Sequence, residues 1–163
     1  MALRARRSPS ATAASAGDDW EMVYRGTRTP RYAMIVAALL VITHVTVGAL
    51  LRMSNTGVDF RVTDQFGLAL IGVVLAGAVL LLTRPRLRVG PAGVAVRNLT
   101  DERLFGWDVV GGLWFPQKGR CARLELPGDE YTPVLAIQAN DGDLAVAAMD
   151  RFRELYQRYS TVG

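Results

Sequence analysis

One cysteine and one histidine in 163 residues leave little with which to build a metal, redox or acid–base centre. Cys121 has no second cysteine with which to form an internal disulfide, as expected in a reducing compartment. A secretory signal is also missing: Ser8 to Asp19 is too polar to follow Arg7 with an apolar core. Nor is there a basic patch sized for nucleic acid. The net charge of +4 comes mainly from residues 1–31, where six Arg face three acidic residues. Residues 84–163 are almost balanced, with eleven basic and ten acidic side chains. EF-hand spacing, a phosphate-binding loop and a Ser-His-Asp set are all absent. The expectation is a chain that is no enzyme, holds no cofactor or metal, and takes neither nucleic acid nor a small-molecule substrate.

What the chain does have is apolar length. Tyr32 to Leu51 is a run of twenty residues with one ionisable group, His44, and Phe66 to Thr83 is eighteen residues with no charge. At 1.5 Å per residue the first run covers roughly 30 Å, the thickness of a hydrocarbon core. Two such helices buried in a soluble protein would need a surrounding core that a chain this short cannot supply. Arg25, Arg28 and Arg31 precede the first run, and Arg84, Arg86 and Arg88 follow the second. The segment between them holds only Arg52 and Arg61. That asymmetry predicts a multi-pass protein of the plasma membrane with both termini cytoplasmic.

Three divisions follow: a disordered basic tail over 1–31, a transmembrane hairpin over 32–83 with spans 32–51 and 66–83, and a cytoplasmic domain over 84–159. Within the tail, Trp20, Met22, Val23 and Tyr24 are suited to lie at the interface or dock on a partner. From Leu87 to Gln138, short β-prone runs alternate with turns such as Gly90-Pro91-Ala92-Gly93 and Pro127-Gly128-Asp129. Asp141-Gly142-Asp143 then reads as a helix start with an Asp N-cap. Apolar positions recur beyond it at Leu144, Ala148, Phe152, Leu155 and Tyr159. The fold class is α+β: a two-helix transmembrane hairpin followed by a bent antiparallel sheet that a C-terminal helix closes.

Inside the spans, Gly72 and Ala76 form a small-xxx-small pair with Gly67 and Gly77 nearby. Such residues let helices approach closely, so Gly72, Ala76 and Gly77 are candidates for helix contact, within the hairpin or with another subunit. His44 is ionisable at a membrane depth, which makes it a functional candidate. Haem, copper or a proton relay would each need further ligands or carboxylates that the spans lack. A neutral imidazole bonded to Thr43 or to a neighbouring helix is the favoured reading, with a minor role in partner contact. Arg84, Arg86 and Arg88 read first as a stop-transfer signal and second as contacts to anionic lipid. Asp108, Asp129, Glu130, Asp141 and Asp143 fall in turns and a helix cap, which these residues favour without any chemistry.

The stretch LRVGPAGVAVRNLTDERLFGWDVVGGLWF, with its Trp-Asp pair and aromatic strand, resembles the small bacterial PH domains of actinobacterial membrane proteins, such as the low-molecular-weight antigen 6 family. The resemblance covers 84–159 and implies a PH-like fold. Eukaryotic PH domains that bind phosphoinositides use basic residues in the first strand–turn–strand. Here that turn, Gly90-Pro91-Ala92-Gly93, has none. More narrowly, HVTVGALLRMSNTGVDFR and the second span are similar to the two-helix accessory subunits of the mycobacterial cytochrome bcc–aa3 supercomplex, on the oxidase side. That likeness implies a non-catalytic subunit of the respiratory chain whose partners are other membrane subunits and lipid. The competing reading is a free-standing, membrane-anchored PH-like scaffold that recruits a cytoplasmic protein.

Overall fold

The computed structural model describes residues 19–53 and 61–161. In chain order they form β1 (Met22–Tyr24), α1 (Arg28–Met53), α2 (Val62–Leu80) with a 3-10 turn over Leu81–Thr83, β2 (Arg86–Gly90), β3 (Gly93–Arg97), β4 (Glu102–Phe105), β5 (Gly112–Trp114), β6 (Cys121–Glu125), β7 (Tyr131–Gln138), and α3 (Asp143–Ser160). A four-stranded antiparallel sheet runs β1-β2-β3-β4, and a three-stranded one runs β5-β6-β7. The expected order of short strands, then one closing helix, is what forms.

Strand alternation decides which side chains meet. On β2, Leu87 and Val89 point inward while Arg86 and Arg88 point outward. Val94 and Val96 on β3, Ala122 and Leu124 on β6, and Val134, Ala136 and Ile137 on β7 complete the sheet side of the core. Helix α3 lays Ala145, Ala148, Phe152 and Leu155 across it, the i, i+3, i+4 spacing of one helical face. Trp107 fastens the far end of that helix. It lies 5.6 Å from Tyr159 and 6.4 Å from Phe152 between ring centroids, and its indole N–H donates to the Gly90 carbonyl at 3.0 Å. The β2–β3 turn requires Gly93, whose φ is +128° and whose missing Cβ would fall 2.1 Å from the Phe105 carbonyl oxygen.

The basic segment expected as a tail over 1–31 needs correcting. Residues 22–24 are a strand: Met22, Val23 and Tyr24 pair with Val89, Arg88 and Leu87. Met22 enters the core at 8% exposure. The reason is local pattern: the three residues alternate apolar-in, and β2 offers an edge whose inner side chains would otherwise lie open. Their docking site is thus the chain's own domain, which the hairpin interrupts after its first strand. Residues 1–18 lie outside the described residues.

Both apolar runs are helical and longer than the hydrophobic stretches alone. Each is long and apolar enough to cross a membrane, and only 11% of the apolar window of either is buried. Ile35, Leu39, Ile42, Leu70, Val74 and others remain exposed along the outer faces. The expected outer loop lies partly outside the described residues, and its end is already helix: α2 starts at Val62, where the Asp64 carboxylate accepts the Arg61 backbone N–H at 3.0 Å.

Candidate functional site: the joint between hairpin and domain

The single buried charged side chain among the described residues is Asp141, at 3% exposure. It stands on the short 3-10 turn between β7 and α3. Its Oδ1 accepts the backbone N–H of Thr27 at 3.2 Å and of Arg28 at 3.0 Å, and the Thr27 hydroxyl at 3.2 Å. These amides open α1, where backbone donors have no intrahelical partner and the helix dipole favours negative charge. A residue more than a hundred positions downstream therefore caps the first long helix. The Tyr24 hydroxyl donates to Oδ2 at 3.4 Å. Burial and then the neighbouring carboxylate push the Tyr24 phenol up to about 12. Thr29 donates to Gln138 at 2.6 Å and accepts from Asn140 at 3.1 Å. Gly26 leaves room for the approach, since a Cβ there would come within 3.1 Å of Asp141 Oδ2 and 3.0 Å of the Ala136 carbonyl oxygen.

The Asp N-cap expected for α3 is corrected by the same geometry. Gly142 holds that position without a side-chain bond, and Asp143 begins the helix. Asp141 instead turns its carboxylate to the Thr27 and Arg28 amides at the start of α1.

Of the residues expected to mediate helix contact, three lie in the seam between α1 and α2. Gly72 and Ala76 are buried there. A Cβ on Gly72 would sit 2.7 Å from the Cβ of His44, so the glycine is what admits the imidazole. His44 Nδ1 lies 2.7 Å from the Leu40 carbonyl oxygen, one turn earlier on its own helix. That is neither of the partners expected for it, Thr43 or a neighbouring helix. Gly77 is different. It is exposed, and a Cβ placed on it meets nothing within 4 Å.

The arginines that follow the second long helix divide too. Arg86 donates to Glu102 at 2.8 Å, and Arg88 reaches the other oxygen of the same carboxylate. The small Ala95 of β3 lies between Arg88 and β4 and leaves space for this bridge. Arg88 also stands 4.6 Å over the Trp20 ring. Burial works against the charged form of Glu102, but the hydrogen bonds from Arg86 and Arg88 outweigh it and hold the carboxyl below its ordinary range. Two of the three arginines are thus drawn into the sheet, while Arg84 is exposed. Sequence reasoning missed Glu102 because strand register, not nearness in the chain, brings it to Arg86 and Arg88.

The half-buried Cys121 thiol is raised by burial, which makes it a poorer nucleophile. Among the described residues no three His, Cys, Asp or Glu side chains converge as a metal site would require.

Comparison with known proteins accords with this architecture. Residues 84–155 match the bacterial PH domain family. Over 145 residues the chain is 51% identical to uncharacterized protein Rv1417 of Mycobacterium tuberculosis H37Rv, covering 89% of this chain and 94% of that one. Uncharacterized protein Mb1452 of Mycobacterium bovis matches to the same extent. The chain belongs to this mycobacterial family. Its PH domain is the part that the resemblance over 84–159 implied, and the shared length takes in the helical hairpin as well. No solved structure matches.

Proposed function

We propose that this PH-domain protein is a non-catalytic accessory or scaffolding subunit of a membrane assembly, anchored by its hairpin with both termini cytoplasmic. The observation that carries the reading is the joint at Asp141, together with the uncovered helices. The hairpin presents apolar side chains outward on nearly all sides, as lipid or neighbouring helices require. Asp141, β1 and Gln138 meanwhile tie the domain to the base of that hairpin. An arrangement of this kind holds a protein-sized module at a membrane surface. The phosphoinositide-type turn has no basic residue, so headgroup recognition of that kind is not its task.

The narrower placement is beside an actinobacterial aa3-type cytochrome c oxidase within the bcc–aa3 supercomplex, as a structural subunit without haem or copper. It rests on the likeness of HVTVGALLRMSNTGVDFR and the second span. The outward-facing Gly77, a free small residue on a membrane helix, suits a neighbouring transmembrane segment. The test is gentle extraction of the tagged full chain, followed by mass spectrometry of what co-purifies. Oxidase subunits in fixed proportion support the narrow placement. A single soluble protein with no membrane subunit would favour the free-standing scaffold instead.

A further inference from the structure

The outer face of the β5-β6-β7 sheet carries the two exposed aromatic side chains of the domain side by side. Trp114 is 41% exposed and Tyr131 is 50% exposed. Register explains the pairing: Trp114 lies opposite Arg123, and Tyr131 opposite Glu125. The inward neighbours on the same strands, Leu113 and Leu124, join the core. The Arg123 guanidinium stands 4.1 Å over the Tyr131 ring and 5.5 Å from that of Trp114. A depression of about 240 Å³ opens beside them, lined by Trp114, Tyr131, Glu125, Asp129 and Glu130. None of this belongs to the joint.

We propose that this sheet face docks a basic peptide segment of a protein partner, seating an Arg or Lys side chain between the aromatic rings and the three carboxylates. The choice of occupant follows from charge. Three carboxylates against one guanidinium leave the depression negative, so anionic lipid headgroups are repelled from it. Aromatic faces attract cations, and Arg123 already shows that the Tyr131 ring accepts a guanidinium over its face. Exposed Trp and Tyr beside a recess are also what interface anchors look like. The inference deepens the scaffold reading by giving the chemistry of a partner.

The experiment uses the full chain in non-ionic detergent and a fluorescein-labelled peptide of repeated Gly-Arg-Ala, read by anisotropy. The control peptide replaces each Arg with Glu. The Arg peptide should bind and weaken as salt rises, while the Glu peptide should not bind. The variant Asp129→Asn/Glu130→Gln should bind about tenfold more weakly, as expected for removing complementary charge, and Trp114→Ala should lose binding by a similar factor. Both changes lie on exposed positions, and unchanged thermal unfolding identifies them as folded. Unaltered affinity in both folded variants would overturn the proposal. So would binding that emerges only after residues 2–17 are deleted, which would assign the face to the chain's own Arg4, Arg6 and Arg7. A negative result here alongside normal co-purification of membrane subunits would remove this site and leave the scaffold reading standing.

Discussion

At the scale of single residues, Asp141 has the largest expected effect. Replacing it with Ala strands the Thr27 and Arg28 amides and the Thr27 hydroxyl around a partly buried void. Loss of an N-cap costs about 0.5–2 kcal/mol, and hydrogen bonds to a charged group are worth about 1.5–3 kcal/mol each. Asp141→Ala should therefore lower the thermal midpoint of the detergent-solubilised chain by several degrees. Asp141→Asn keeps an acceptor and should lose much less. Equal losses for the two would mean that the carboxylate is filling space and not capping α1. Tyr24 adds a pH signature. Its phenol is raised in the folded state to about 12 from an ordinary value near 10. The folded form holds that proton more tightly, so its contribution is intact below pH 10 and is lost as pH climbs towards 12. An alkaline unfolding titration of Tyr24→Phe should show a flatter decline over that window than the parent chain.

At the scale of elements, the two small residues of α2 should behave in opposite ways. Gly72→Leu places a side chain where a Cβ alone would stand 2.7 Å from His44, so the seam between α1 and α2 must open. Overpacking of this kind costs typically 1–3 kcal/mol, readable as a lowered midpoint for the hairpin. Gly77→Leu points into open space on the isolated chain and should leave that midpoint unchanged. If α2 packs on a neighbouring subunit through Gly77, the same variant should lose its co-purifying partner. Retention of the partner by Gly77→Leu would take that face out of the interface. The amphipathic period of α3 and the succession of short strand-prone runs and turns were legible beforehand, because each pattern is local. Phe152, expected on the buried face, is 2% exposed.

At the scale of the whole molecule, the domain is interrupted by the hairpin, and this governs how the chain can be cut. A fragment starting at Arg84 contains the whole stretch that matches the PH domain family. It nevertheless lacks β1, which leaves the Leu87–Val89 edge unpaired and takes Met22 from the core. We expect that fragment to be less stable and more prone to self-association than one in which residues 19–27 are joined to 84–161 by a flexible linker. Chemical denaturation of the two fragments decides it, and identical midpoints would show β1 to be dispensable. Pairing of β1 with β2 also obliges both ends of the hairpin to lie on one side of any membrane it crosses. A cysteine at Thr56 should react with an impermeant thiol reagent in intact spheroplasts, and one at Ser160 should not. Labelling in the reverse order would invert the proposed orientation.

The sequence alone determined what depends on composition and short-range period: two apolar helices, the order of strands and closing helix, and the PH-like resemblance. Burying apolar surface is non-directional, so a run of Leu, Val and Ala announces its helix without knowing its neighbours. Tertiary structure decided every pairing between distant segments. That Met22–Tyr24 is a strand and not a tail depends on the open edge of β2, more than sixty residues away. That Asp141 caps α1 and not α3 depends on where the chain brings two unsatisfied amides. Hydrogen bonds and ion pairs act over about 3 Å, and only the folded backbone sets which groups come that close.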